Sequence, residues 1–265
     1  MTDFIYQIRH ADVFRGFYPK ATQVFNNLSI DLKKHEHTAI LGPNGSGKTT
    51  LLKLLTREIS PVVKDGSFIK IFDQEQVNIW ELRERIGVVS HDFQTNYQSL
   101  ATGLDVVVSA FFGSIGIHQH QTPTEEQRSL AKQQLQKLNI EALENKPYLQ
   151  LSTGQQRRLL LARALIHQPE VLIFDEPTNG LDIKSSIALL SELRKLARSG
   201  VTLILVTHHL DEIVPEIDRV VMLKQGEVMA DGKKSSTLTE ENFSQVFELD
   251  VTLTEEDGYY RVRAR

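Results

Sequence analysis

Cysteine is absent from the 265 residues, so no disulfide framework holds this chain together. The opening residues, MTDFIYQIRH, lack the charged-then-apolar shape of a signal peptide, and a reducing, cytoplasmic setting is the expectation. Long hydrophobic runs are missing too. The longest apolar stretch, VVVSAFFGSIGI at Val106–Ile117, falls well short of the about twenty residues that cross a bilayer as a helix. Nor is there an excess of one charge: 30 Lys and Arg stand against 34 Asp and Glu, a formal net charge of −4, which argues against broad binding to a nucleic-acid backbone. Among nine histidines no pair has the spacing and setting of a zinc site, and His118 and His120 fall in a polar loop. What remains is a chain long enough to bury a large core as one α/β unit with a subdomain.

Three short strings carry the chemistry. The first, GPNGSGKTT, runs from Gly42 through Pro43, Asn44, Gly45, Ser46, Gly47, Lys48 and Thr49 to Thr50. It fits G-x-x-x-x-G-K-[ST], in which a glycine-rich turn between a strand and a helix aims backbone N–H groups at phosphate oxygens. The apolar HTAIL before it supplies the strand, and a helix over Thr50–Thr56 adds its positive end. In this pattern Lys48 neutralises the β- and γ-phosphates and the Thr49 hydroxyl ligates Mg²⁺. The second string, VLIFDEP at Val171–Pro177, reads as a buried parallel strand that delivers two carboxylates at its C-terminal end. Asp175 is suited to hold the metal through water, and Glu176 to orient or deprotonate an attacking water. The third, LSTGQ at Leu151–Gln155, precedes the helical QRRLLLARALI, with Ser152 as its N-cap. It marks a second helix N-terminus able to receive phosphate.

In order and in spacing these strings resemble the nucleotide-binding subunit of the ATP-binding cassette (ABC) family, over nearly the whole chain. The resemblance implies that Ser152, Gly154 and Gln155 form the signature motif that grips ATP held by a second copy of the chain. It implies that PTNGLD forms the D-loop, with Asp182 at the dimer interface, and that His208, at the end of the strand Val201–Val206, is the switch histidine. Tyr18, in FYP, resembles the aromatic that stacks on adenine, with Phe14 as the competing stacker; His209 reads as a helix-start or surface residue. Glu176, His208 and Lys48 are then the catalytic residues of an ATPase that uses ATP and Mg²⁺.

Two positions depart from the family pattern. Where a glutamine usually reaches the metal after RIGVVS, this chain has His91, with Gln94 three residues on. Mg²⁺ favours hard oxygen ligands, so either the loop bends to let Gln94 serve beside Thr49 and Asp175 or water completes the shell. In KKHEH, His35 stands where glycine is usual, in a turn that calls for positive φ.

The expected fold is α/β: a phosphate-loop NTPase core, a mostly parallel sheet flanked by helices, with an antiparallel β subdomain and an inserted α-helical subdomain. Residues 1–95 and 166–235 form the core with the β subdomain, 96–165 the helical part and 236–265 a short tail, while residues 1 to about 30 alternate like edge strands. Charged EEQRSLAKQQLQK reads as a solvated helix face. Phe111 or Phe112, after the glutamine-loop position, is expected to line a groove for a membrane partner. The resemblance implies a transporter subunit on the inner face of the cell membrane, partnered by a second copy and by integral membrane subunits, with no nucleic acid. Its alternative is a soluble family member in a regulatory, repair or translation complex, but neither a long coiled-coil insertion nor a second cassette is present. The tail resembles those of importers of metal, cofactor or siderophore cargo and of molybdate-related members.

Overall fold

A computed structural model describes residues 3–16, 19–97 and 100–265. In chain order the elements are β1 (Phe4–Arg15), β2 (Thr22–Lys33), β3 (Thr38–Leu41), α1 (Lys48–Leu55), β4 (Phe68–Ile71), α2 (Ile79–Arg85), β5 (Ile86–Val89), α3 (His91–Thr95), α4 (Gly103–Val108), α5 (Glu125–Lys137), α6 (Thr153–Leu165), β6 (Val171–Asp175), α7 (Ile183–Arg198), β7 (Thr202–Thr207), β8 (Arg219–Lys224), β9 (Glu227–Lys233), α8 (Lys234–Thr237), α9 (Glu240–Phe247), β10 (Val251–Glu256) and β11 (Tyr259–Ala264). They divide into two compact units, Met1–Ile79 with Thr202–Arg265, and Trp80–Val201.

In the first unit β3 pairs in parallel with β7 on one side and β8 on the other, and β9 adds antiparallel to β8. Every residue of β3 and β7 is buried, which explains why TAIL and TLILVT are continuous apolar runs instead of alternating ones. A separate antiparallel sheet has the order β2-β1-β4. The alternation of the first thirty residues reads as edge strands, but β1 is internal, hydrogen-bonded antiparallel to β2 on one side and to β4 on the other. The Tyr6 hydroxyl donates to the Leu55 carbonyl at the end of α1 (3.0 Å), so this sheet is tied to the helix that follows the phosphate loop. Burial of Tyr6 pushes its phenol well above the ordinary value.

The KKHEH turn closes on β7. His35 takes φ 60°, the left-handed conformation for which its position calls, and its N–H donates to Thr202 Oγ1 (2.9 Å). His37 Nδ1 accepts the Leu203 N–H (3.1 Å). At the other end of the chain, Lys234 Nζ donates to the carbonyls of Val214, Pro215 and Gly258, which fastens the β10–β11 hairpin to the unit.

In the second unit β5 and β6 pair in parallel, α6 packs on β5, and α4 and α5 pack on α6. Reciprocal capping boxes start three of its helices: Thr102 with Asp105 at α4, Thr124 with Gln127 at α5, and Ser152 with Gln155 at α6. Each N-cap stabilises its helix by about 1 kcal/mol. As its charged sequence implies, α5 buries little, chiefly Ala131, Gln134 and Leu135. Arg163 of α6 is buried, with its guanidinium 4.5 Å from the Phe93 ring and its Nε donating to Ser109 Oγ (3.3 Å), so α6 holds both α3 and the segment after α4. Of the apolar stretch Val106–Ile117, Val106, Val107 and Val108 are fully buried core. The Phe111 ring meets His167 edge-on at 5.2 Å. A cavity of about 360 Å³ opens nearby, lined by Leu100, Ala101, Gly116, Ile117 and Pro123 among others, and neither Phe111 nor Phe112 lines it.

Candidate functional site

The phosphate loop connects β3 to α1, which starts at Lys48, two residues before the expected Thr50. Pro43 is half-buried, Asn44, Gly45 and Thr49 are exposed, and Ser46, Lys48 and Thr50 are buried. Gly47, the N-cap, has φ 106°, which excludes other residues on steric grounds, and it offers no side chain to cap the helix. The first-turn N–H groups of α1 therefore have no side-chain cap. Lys48 Nζ is folded onto the Gly42 and Pro43 carbonyls at 2.7 and 3.0 Å. Ser46 Oγ is buried with no hydrogen-bond partner. A buried hydroxyl, a buried ammonium and an uncapped helix start, gathered in one turn, fit a phosphate group.

His208 follows β7 in the same unit. The β3–β7 register sets Leu41 beside Thr207, and the Gly42 N–H donates to the Thr207 carbonyl (3.3 Å), so the loop and the histidine turn leave adjacent parallel strands side by side. The His208 ring is half-buried and lies 3.9 Å from that of His209, which is exposed and opens a 3-10 turn over Leu210–Glu212, as expected of a helix-start residue. Tyr18 lies outside the described residues; Phe14, the other aromatic considered for adenine, is exposed near the end of β1.

The remaining expected residues lie in the second unit. Asp175 ends β6, and Glu176 follows with φ 46°, an uncommon conformation for a residue with a side chain. Glu176 Oε2 accepts from Asn179 Nδ2 (3.2 Å), and its carbonyl accepts the Asn179 N–H. At α6, Ser152 Oγ accepts the Gln155 N–H (3.3 Å) while Gln155 Oε1 accepts the Ser152 N–H (3.1 Å). A Cβ on Gly154 would come within 2.6 Å of Ser185 Oγ, so only glycine fits against α7 there. Ser185 in turn donates its N–H and hydroxyl to Asp182, the N-cap of α7, at 2.9 and 2.8 Å. These two hydrogen bonds hold the Asp182 carboxyl below the usual carboxylate range. One serine thus joins the signature turn to the D-loop.

Gln94 sits in α3, where Ser90 is the N-cap and His91 the first residue. Its side chain is buried, with Nε2 donating to Gln156 Oε1 (3.1 Å), and Tyr148 Oη donates to its backbone carbonyl (3.2 Å). Asn179, Ser185, Gln156 and Thr207 were not among the residues the sequence pointed to. Ser185 had a visible signal, a hydroxyl three residues after an acidic N-cap; Gln156 and Thr207 depend on tertiary contacts.

The family profile described as ABC transporter matches residues 25–179. The chain belongs to the ABC transporter family. This ABC protein is similar to the ABC transporter ATP-binding protein YlmA of Bacillus subtilis (31% identical, over 91% of this chain and 92% of that one). It is also similar to the energy-coupling factor transporter ATP-binding protein EcfA2 of Clostridium perfringens (31% identical, over 98% and 91%). Among solved structures it resembles the ATP-binding cassette MJ0796 in a dimeric post-hydrolysis state bound to ADP and Pi (28% identical, TM-score 0.71, covering 86% of this chain and 98% of that one). The α/β phosphate-loop NTPase fold is that of the family, and the protein is an ABC ATPase that binds and hydrolyses ATP. Among the described residues no helix is long and apolar enough to cross a membrane.

Proposed function

We propose that this ABC ATPase drives a transporter whose membrane path is made by separate integral membrane subunits, and that it works from the inner face of the membrane as a dimer closed on two ATP. The observation that carries the reading is the phosphate loop, with Ser46 Oγ buried and unpartnered and the start of α1 uncapped. The dimeric state of MJ0796 and the transporter names of the relatives support the rest.

In this reading N–H groups of the phosphate loop beyond Pro43 and of the first turn of α1, with Lys48, bind the phosphates of one ATP, while the Gly42 N–H stays on the Thr207 carbonyl; Tyr18 stacks on the base. Ser152, Gly154 and Gln155 take the γ-phosphate of the ATP bound by the other copy, and Asp182 meets that copy at the interface. Glu176 orients the attacking water and accepts its proton, His208 holds the water and the γ-phosphate, and Lys48 neutralises charge as the bond to the leaving phosphate breaks. The Thr49 hydroxyl, the Asp175 carboxylate and the Gln94 amide oxygen are the hard oxygen donors that suit Mg²⁺, with Gln94 Nε2 already committed to Gln156 and its oxygen left to accept or ligate. Bound there, Mg²⁺ supplies positive charge to the phosphate oxygens. Loss of the γ-phosphate removes the contact that holds the copies together, and their opening is the working stroke.

Affinity capture of the tagged chain from gently solubilised membranes tests the transport role. A stoichiometric integral membrane protein that is released by Leu100→Asp or Ile117→Asp in the cavity supports it. A chain that stays in the soluble fraction, with no membrane protein retained, contradicts it.

A further inference from the structure

Glu212 is fully buried, a carboxylate that the hydrolytic mechanism leaves without a task. Its Oε2 accepts a hydrogen bond from the Thr207 hydroxyl. The same hydroxyl oxygen accepts the His209 N–H at 2.9 Å. The Thr207 carbonyl accepts the N–H of Gly42, the first residue of the phosphate loop. Thr207 is itself buried and ends β7 opposite Leu41. One residue therefore fixes the two peptides that flank His208 and also ties them to the start of the phosphate loop. A buried carboxylate is costly unless it is well bonded, so its presence here calls for a return larger than packing.

We propose that Glu212 and Thr207 are positioning residues for His208. The carboxylate fixes the rotamer of the Thr207 hydroxyl by accepting its hydrogen bond, and that leaves the hydroxyl's lone pairs for the His209 N–H. With Thr207 Oγ1 bonded on both sides, the backbone at His208 has one conformation, and the imidazole is presented at a set distance from the loop that holds the phosphates. Neither residue touches substrate; both act through the geometry of His208. The inference rests on the reading of His208 as the residue that contacts the γ-phosphate and water.

Thr207→Val keeps the shape of the side chain and removes the hydroxyl, whereas Thr207→Ser keeps the hydroxyl. Thr207→Val is expected to lower kcat about tenfold with KM for ATP changed less than about twofold, as for a small misplacement of a catalytic group. Thr207→Ser is expected to recover most of that loss. Glu212→Gln, whose amide oxygen still accepts from Thr207, should lose less than Glu212→Leu, and thermal unfolding identifies any variant that fails to fold. The deciding arm is the His208→Ala background, in which Thr207→Val should lower turnover no further, because residues that act as one unit are non-additive. An equal loss from Thr207→Val in both backgrounds would mean a purely structural role and would overturn the proposal, as would wild-type kcat in folded Thr207→Val. If His208→Ala itself hydrolyses ATP at the wild-type rate, it is the reading of His208 that fails.

Discussion

The molecule has two helix N-termini expected to meet phosphate, and they are built in opposite ways. At α1 the N-cap is Gly47, with no side chain to offer; the nearby Ser46 hydroxyl is buried without a partner, and Lys48 is folded onto the loop's own carbonyls. At α6 the N-cap Ser152 and Gln155 satisfy one another in a capping box. The first is a site left unfinished by its own chain, and the second is complete without a ligand. The difference matches the proposed division of labour. In that proposal the phosphate loop binds ATP in its own copy through the uncapped start of α1 and the unpartnered Ser46 hydroxyl. In the same proposal the signature helix meets ATP only when another copy arrives, and until then its end must be stable in water.

The largest effect that breaks this contrast is expected from Lys48→Ala. Without the buried ammonium the loop loses its only fixed positive side chain, and phosphate release should fall by at least about a hundredfold. Turnover close to wild type would mean that the loop is not the catalytic phosphate site.

A pair of serines sharpens the contrast next. Ser152→Ala breaks the capping box and should lower unfolding stability without nucleotide by about 1 kcal/mol in denaturant titration. Ser46→Ala removes a buried hydroxyl that has no partner, so the nucleotide-free protein should be as stable as wild type or more so, while ATP affinity falls. Equal destabilisation by both substitutions would erase the distinction between an unfinished and a finished helix end.

The smallest effect concerns the base of the strand pair that carries the phosphate loop. His37 Nδ1 accepts the Leu203 N–H, and burial holds the His37 imidazole below the ordinary histidine value, partly offset by Asp218. A protonated ring cannot accept that bond. With the folded value depressed, the stabilisation is complete above the unfolded histidine value near pH 6.5 and is lost as pH falls through the folded value. Between pH 7.5 and 5.5 the wild-type melting temperature should drop more than that of His37→Asn. An identical pH dependence in the two proteins would show that this histidine stays neutral throughout.

Much of the site was legible because it is local. The phosphate loop needs its glycines at fixed places, the Ser152 cap follows from Ser-x-x-Gln, and a buried parallel strand ending in Asp175 and Glu176 reads directly as VLIFDE. The family's motifs then assigned roles that composition could not. What escaped the sequence depends on residues far apart in the chain. Gln94 is bonded to Gln156 and Phe93 is covered by Arg163, because packing of α6 decides these partners and no local period records it. The interior position of β1 was hidden for the same reason: alternation tells which face is buried, not how many neighbours a strand has. The left-handed backbone of Glu176 had no signal either, since glutamate is not a residue that announces positive φ.

The central claim is that each ATP belongs to two copies of the chain. Light scattering of Glu176→Gln with and without MgATP tests it most directly, because this variant keeps the size of the side chain but removes the proposed base, so bound ATP should not be cleared. The account predicts a monomer that becomes a dimer on adding ATP, holds one nucleotide per chain, and reverts when Ser152→Arg is added. A variant that binds ATP yet stays monomeric, or that hydrolyses it at the wild-type rate, would contradict the account.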